Sequence, residues 1–292
     1  MNKFKGMGVA MVTPFTEDGS LDKSSLEKLC RHLIEGGADF LVVMGTTGEN
    51  PTISNAEQAE ILSIIQEENK GSKPIVFGIG GNNTAAVVER LKTTNLDGVD
   101  GILSVSPYYN KPNQEGIFRH FEAISDHSPL PVIMYNVPGR TSANMLPETT
   151  LRLARDFENI IAVKEAGNNM SQYLWLLKDK PDDFMIISGD DDLALPVTLA
   201  GGSGVISVLG QAFPKDFTRM IHLGLNGKAL ESYRLHFKLM EITSLIFAEN
   251  NPAGIKAVLN IMNLCNDTVR LPLVRATESL KSKMRTFIDD YK

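Results

Sequence analysis

Eight short apolar runs recur through the first three-quarters of this chain, and they restrict its fold more than any other feature. They are GVAMV (8–12), FLVVM (40–44), PIVFG (74–78), GILSV (101–105), PVIMYN (131–136), IIAVK (160–164), FMIIS (184–188) and GVISV (204–208). Runs that are apolar on both faces suit parallel strands covered by other elements. Most gaps between them hold helical periodicity. DKSSLEKLCRHLIEGG sets Leu26, Leu29, Leu33 and Ile34 on one face and ends on glycines. SNAEQAEILSIIQEEN opens with a Ser or Asn cap and an acidic first turn, and carries Ile61, Ile64 and Ile65. Strand then helix, eight times over, predicts a (β/α)8 TIM barrel across residues 1–225. A doubly wound sheet is the alternative, but no GxGxxG follows the first strand and no Walker A pattern occurs.

From Asn226 the strands stop. GKALESYRLHFKLMEITSLIF, NPAGIKAVLNIMNLC and LVRATESLKSKMRTFIDDY read as three helices, so residues 226–292 form a helical appendage with a packing or oligomerisation role.

The 292 residues are 42% hydrophobic and 22% charged, with a net charge of −6, and no basic run or basic helix offers a nucleic-acid footprint. The start, MNKFKGMGVAMVTPF, meets a proline before a secretory apolar region forms. No apolar run approaches the ~20 residues of a membrane span. Two distant cysteines, Cys30 and Cys265, suggest neither a disulfide framework nor a zinc site, and the expected home is the cytoplasm.

Within IIAVKEAG a charge interrupts a buried run. Strand alternation places Lys164 with Ile160 and Ala162, and Ile161, Val163 and Glu165 on the other face. An ammonium taken out of water costs several kcal/mol unless it finds a partner, a lowered pKa or a use. It snorkels at a strand end, pairs with a distant carboxylate, or serves a site.

Active sites of such barrels are built at the C-terminal ends of the strands. There the sequence offers MGTTGEN (44–50), SPYYNKP (106–112), YNVPGRT (135–141), SGDDDLAL and SVLGQAF. A buried lysine attacks a ketone and forms an imine, an electron sink for making a carbon nucleophile. A tyrosine beside a threonine shuttles the protons, and backbone N–H groups and an arginine fork hold carboxylates. The plainer readings are a turn for Thr46 and Thr47, packing aromatics for Tyr108 and Tyr109, and a surface ion pair for Arg140. Asp190, Asp191 and Asp192 read as a helix N-cap with an acidic first turn and not as a metal site.

GTTGEN, YYNKP, YNVPGRT, VKEAG and ISGDD, in that order, closely resemble the 4-hydroxy-tetrahydrodipicolinate synthase (dihydrodipicolinate synthase) family, and the resemblance runs nearly end to end. It implies that Lys164 forms a Schiff base with pyruvate and that Tyr135 is the central acid/base, with Thr46 and Tyr109 completing a hydroxyl relay. Tyr109 reaches in from a neighbouring subunit, as family members are usually homotetramers. The backbone around Thr46 and Thr47 holds the pyruvate carboxylate, Arg140 that of L-aspartate-4-semialdehyde, and Gly189 and Ile206 supply backbone contacts near the imine. No metal or organic cofactor is implied.

The superfamily also holds N-acetylneuraminate lyase and 2-keto-3-deoxy sugar-acid aldolases; Arg140 and GTTGE favour the synthase. A sensor that lost the chemistry would lack the lysine or the tyrosine, and both are present. The family's lysine-effector region maps onto Asn50, Pro51, Asn55, Gln58, Asn82, Ala86 and Tyr108. Strongly inhibited relatives carry histidines at the Asn55 and Gln58 positions and a glutamate at Ala86, so weak or absent inhibition by lysine is expected.

Overall fold

The computed structural model describes residues 2–291; residues 1 and 292, the outer bounds of the two regions read from the sequence, lie outside the described residues. Eight parallel strands close on themselves in sequence order. They are β1 (Gly6–Ala10), β2 (Phe40–Val43), β3 (Ile75–Gly78), β4 (Gly101–Val105), β5 (Val132–Asn136), β6 (Ile160–Glu165), β7 (Met185–Ser188) and β8 (Gly204–Ser207). Around them run α1 (Lys23–Glu35), α2 (Asn55–Asn69), α3 (Thr84–Thr93), α4 (Gln114–His127), α5 (Pro138–Thr141), α6 (Pro147–Asp156), α7 (Met170–Asp179), α8 (Ala194–Leu199) and α9 (Pro214–Leu225). The helical tail follows as α10 (Ala229–Phe247), α11 (Ala253–Ile261) and α12 (Glu278–Asp290).

Local sequence explains the helix starts. Ser54 and Glu57 form a reciprocal capping box at α2, and the Asp22 carboxylate accepts from Ser25 N–H at 3.0 Å to open α1. Two apolar layers result. Phe40, Val42, Val76, Leu103, Ile133, Ala162, Ile187 and Ile206 fill the barrel, with the Phe4 ring edge-on to Phe40. The larger layer lies between strands and helices and runs on without a break into α10, α11 and α12.

Four expectations need correction. The first strand starts at Gly6 and not at residue 8, because Gly6 and Met7 pair with Gly204 and Val205 to close the barrel. It ends early because Val12 N–H donates to the Gln211 side chain at 2.8 Å. In β6 a register shift opposes Val132 to Ile160 but Ile133 to Ala162. Ile161 is the extra residue, so Ile160 joins the outer layer and does not share a face with Lys164.

The three aspartates do not cap a helix. α8 begins only at Ala194, with Leu193 as its cap and no side-chain bond there. Asp190 instead accepts from Asn168 N–H and Tyr173 O–H, and Asp191 from the N–H groups of Val208 and Leu209. The last tail helix starts at Glu278 behind a Thr277 cap, leaving the preceding chain free to reach back over the barrel.

Gly204 carries φ +129°, and a Cβ there would run into the Gly6 carbonyl across the closing seam. Gly204→Ala combines left-handed strain with overpacking. We expect it to lower unfolding free energy by roughly 2–4 kcal/mol, read as a fall in urea midpoint at unchanged slope.

Candidate active site

Tyr135 and Lys164 stand side by side at the C-terminal ends of β5 and β6, paired in register. Lys164 is 5% exposed, and its Nζ lies 4.3 Å from the centroid of the Tyr135 ring. Among the described residues no carboxylate forms an ion pair with it. Gly189 makes room for its stem, since a Cβ there would stand 3.0 Å from Lys164 Cε. Ile206 lies in the inner layer, paired with Gly8.

A cavity of about 550 Å³ opens beside Tyr135, while Lys164 lies behind the Tyr135 ring and is not among the lining residues. Thr46, Tyr135 and Arg140 line it, as do Asn50, Pro51, Asn55, Gln58 and Tyr108, whereas Thr47 does not. Asn82 and Ala86 lie off the lining: the Asn82 carbonyl accepts from Asn110 Nδ2 at 2.9 Å, and Ala86 is exposed in the first turn of α3. Tyr109 also lies off it, 88% exposed at φ +71°.

The threonine loop after β2 is tightly specified. Gly48 N–H bonds the Gly45 carbonyl, Glu49 N–H that of Thr46, and Asn50 Nδ2 donates to the Met44 carbonyl at 2.7 Å. Glu49, left-handed at φ +57°, buries its carboxylate beneath the loop. There Lys256 Nζ donates to Oε1 at 2.5 Å and Arg270 N–H to Oε2 at 2.9 Å, and Lys256 spends a second donor on the Thr268 carbonyl. Burial pulls the Lys256 ammonium below its ordinary pKa, and the Glu49 charge opposes that shift.

Asn251, just before α11, ties both sides of the cavity together. Its Nδ2 donates to Thr47 Oγ1 at 3.0 Å, and its carbonyl accepts from Arg140 Nη2 at 3.4 Å. Arg140 sits in α5, which the sequence offered as loop; Pro138 fixes the turn, and the N–H groups of Arg140 and Thr141 share the Val137 carbonyl.

Behind Lys164 lies a buried acid network. Glu165 accepts from Asn136 Nδ2 at 2.9 Å and Gln172 Nε2 at 2.9 Å, while the Tyr173 hydroxyl donates to its backbone carbonyl. Burial outweighs these donors and pushes the Glu165 carboxyl up to about 7; Asp190 and Asp191 rise to about 6 for the same reason, with the Lys164 charge pulling back. Cys30 and Cys265 are free, and burial pushes each thiol up to about 12, which leaves neither poised as a nucleophile.

Sequence reasoning missed Glu49, Asn251, Lys256 and Arg270. A signal for one was present: Lys256 interrupts the apolar run of PAGIKAVLNI just as Lys164 interrupts IIAVK.

Comparison with known proteins comes to the same place. The model of the "Dihydrodipicolinate synthetase family" matches residues 3–290. The 4-hydroxy-tetrahydrodipicolinate synthase of Flavobacterium psychrophilum is 51% identical over 287 residues, 98% of each chain. Among solved structures, the dihydrodipicolinate synthase of Thermotoga maritima aligns with a TM-score of 0.96 at 38% identity, covering 99% of both chains. That of Acinetobacter baumannii, solved with pyruvate, aligns at 0.95 and 35% identity over 98% of both.

Two outcomes follow from the buried charges. Lys256→Met strands the Glu49 carboxylate and should cost about 3–5 kcal/mol in chemical denaturation, whereas adding Glu49→Gln restores much of that loss. Glu165, raised to about 7 in the fold against an ordinary 4.5, keeps its proton when the unfolded chain has released it. Its contribution to stability is therefore full below pH ~4.5 and falls away as the pH climbs to ~7. In Glu165→Gln the stability curve should be flatter across that window.

Proposed function

The chain belongs to the dihydrodipicolinate synthetase family, and from that premise we propose that it condenses pyruvate with L-aspartate-4-semialdehyde to 4-hydroxy-tetrahydrodipicolinate, which commits carbon to diaminopimelate and lysine. The observation that carries the reading is Lys164, buried, without a carboxylate partner and against the ring of Tyr135, which lines the cavity.

In this scheme Lys164 Nζ adds to the pyruvate ketone, and loss of water gives the imine. Loss of a methyl proton makes the enamine, whose carbon attacks the aldehyde. The amino group of the semialdehyde then displaces Lys164 from the imine carbon, closing the ring and freeing the enzyme. Tyr135 moves the protons, relayed by Thr46 and by Tyr109 of a neighbouring copy. The backbone at Thr46 and Thr47 holds the pyruvate carboxylate, and Arg140 that of the semialdehyde. Gly189 and Ile206 offer backbone beside the imine. The lysine itself supplies the electron sink, so the scheme calls for no metal or organic cofactor.

A homotetramer belongs to the same proposal. Tyr109 stands clear of its own cavity, and Leu174 and Trp175 on α7 are about half exposed, which supports assembly through these surfaces. Two buried free cysteines support a cytoplasmic location. Among the described residues no helix is long and apolar enough to cross a membrane. The full-length likeness to synthases supports this reading over a sugar-acid aldolase or a sensor.

Borohydride in the presence of pyruvate should add one reduced pyruvate to the wild-type mass and none to Lys164→Ala. Turnover should require the semialdehyde, with N-acetylmannosamine and glyceraldehyde inert; preference for a sugar aldehyde would overturn the synthase reading. Tyr135→Phe should lose ~10²–10⁴-fold in kcat while still binding pyruvate.

A further inference from the structure

Two residues that the proposed chemistry does not use stand directly beside the two that it uses most. Tyr135 pairs with Lys164 across β5 and β6, and one step further Asn136 pairs with Glu165. Strand alternation turns this second pair away from the barrel interior, and both side chains are fully buried. Asn136 Nδ2 donates to Glu165 Oε1 at 3.1 Å and to Oε2 at 2.9 Å. Gln172 Nε2 donates at 2.9 Å, and among the described residues no cation pairs with this carboxylate. Apolar side chains would join two buried strands at lower cost, so a carboxylate without a counter-ion calls for a use.

The bulge in β6 supplies one. Ile161 is an extra residue, and the register shifts between Val132 and Ile133 to take it up. Side chains alternate with period two, so a slip by one residue would turn Lys164 out of the barrel and away from the Tyr135 ring. Past the bulge, Asn136 grips Glu165, and each partner is anchored independently. Asn136 Oδ1 accepts from Met145 N–H at 3.0 Å, and its Nδ2 also donates to Asn144 Oδ1 at 2.8 Å. The Glu165 carbonyl accepts from Gly189 N–H at 2.6 Å and from the Tyr173 hydroxyl. Gly189 is also the residue that makes room for the Lys164 stem.

We propose that Asn136 and Glu165 are positioning residues, a clamp on the outer side of the sheet that holds Lys164 against Tyr135 in the phase that imine formation needs. The clamp touches no substrate and acts through the residues beside it. It deepens the synthase reading, on which it rests for the roles of Lys164 and Tyr135. It also needs an ionised carboxylate. Both oxygens already receive an N–H group, so a proton on either sets donor against donor and loosens the grip. Burial pushes the carboxyl up to about 7, which places that loosening just below neutrality. The titratable groups around it are Lys164 on its own strand, Tyr135 on β5, Tyr173 on α7 and Asp190 after β7. Asp190 rises to about 6, and burial keeps the Tyr173 hydroxyl protonated.

The test is the rate at which saturating pyruvate labels Lys164, quenched with borohydride at short times and read by mass. Glu165→Gln sets an NH2 group against the Asn136 amide at every pH. It should slow labelling at pH ~8 about tenfold or more, with the half-saturating pyruvate concentration unchanged because the threonine loop is untouched. Below pH ~7 the wild-type rate should fall one proton more steeply than that of Glu165→Gln, since the need for a neutral Lys164 amine is common to both. Asn136→Ser opens the clamp from the other side and should show the same slowing. Asn136→Asp combined with Glu165→Gln exchanges donor and acceptor across the pair and should recover part of the rate. Cooperative unfolding in urea reports that each variant is folded. The clamp is overturned by wild-type rates in the single variants, by a rise in half-saturating pyruvate at unchanged rate, by equally steep pH profiles, or by a double variant no faster than Glu165→Gln. A wild type that takes no label overturns the synthase reading itself, and the role of the clamp falls with it.

Discussion

The carboxylate of Glu49 is the joint of this molecule. It sits at the end of the threonine loop, is fully buried, and receives the Lys256 ammonium and the Arg270 backbone N–H from chain more than 200 residues away. Such a pair does not gain much over an apolar substitute, because desolvating two charges offsets most of their attraction. What it does is orient. A left-handed Glu49 backbone, with its side chain held from two sides, leaves the loop one arrangement. The barrel and the helical tail, separable by composition, are one structure at this point.

Two buried lysines in one chain meet the same cost in two ways. Lys256 is neutralised by Glu49, donates to a carbonyl and lies over the Phe15 ring. Lys164 has an aromatic face beside it, and the nearest acids, Asp190 and Asp191, are occupied by backbone N–H groups. The first arrangement commits two of the three donors, and the charge itself, to structure. The second leaves an amine without a carboxylate partner, the condition that the proposed imine chemistry requires.

Most of the fold was legible in the sequence because a parallel barrel writes its strands as runs apolar on both faces, and all eight runs became strands. Lys164, Tyr135, Thr46 and Arg140 drew attention because polar groups at strand ends stand out against such runs, and the structure brings Tyr135, Thr46 and Arg140 to one cavity with Lys164 against Tyr135. The phase of β6 was not: alternation alone cannot announce the extra residue Ile161, which exists to fit the register against β5. Nor were the bonds of Asp190 and Asp191, which look like a cap in sequence and find backbone donors in space. Glu49, Asn251, Lys256 and Arg270 stayed hidden because their partners lie far along the chain, and local pattern carries no information about such pairs.

Asn251 has a consequence for anyone wishing to redesign this pocket. One side chain and its own carbonyl hold Thr47, the chain neighbour of the lining residue Thr46, and Arg140, which lines the cavity itself. The two segments that the proposed chemistry assigns to two different molecules thus share a single tether, which comes from the start of the α11 region and belongs to neither segment. Selectivity for the second molecule is consequently not a modular property of the α5 turn. A graft that swapped this turn for one from another barrel would inherit a tail shaped for the old one, and the loop at Thr47 would register the mismatch.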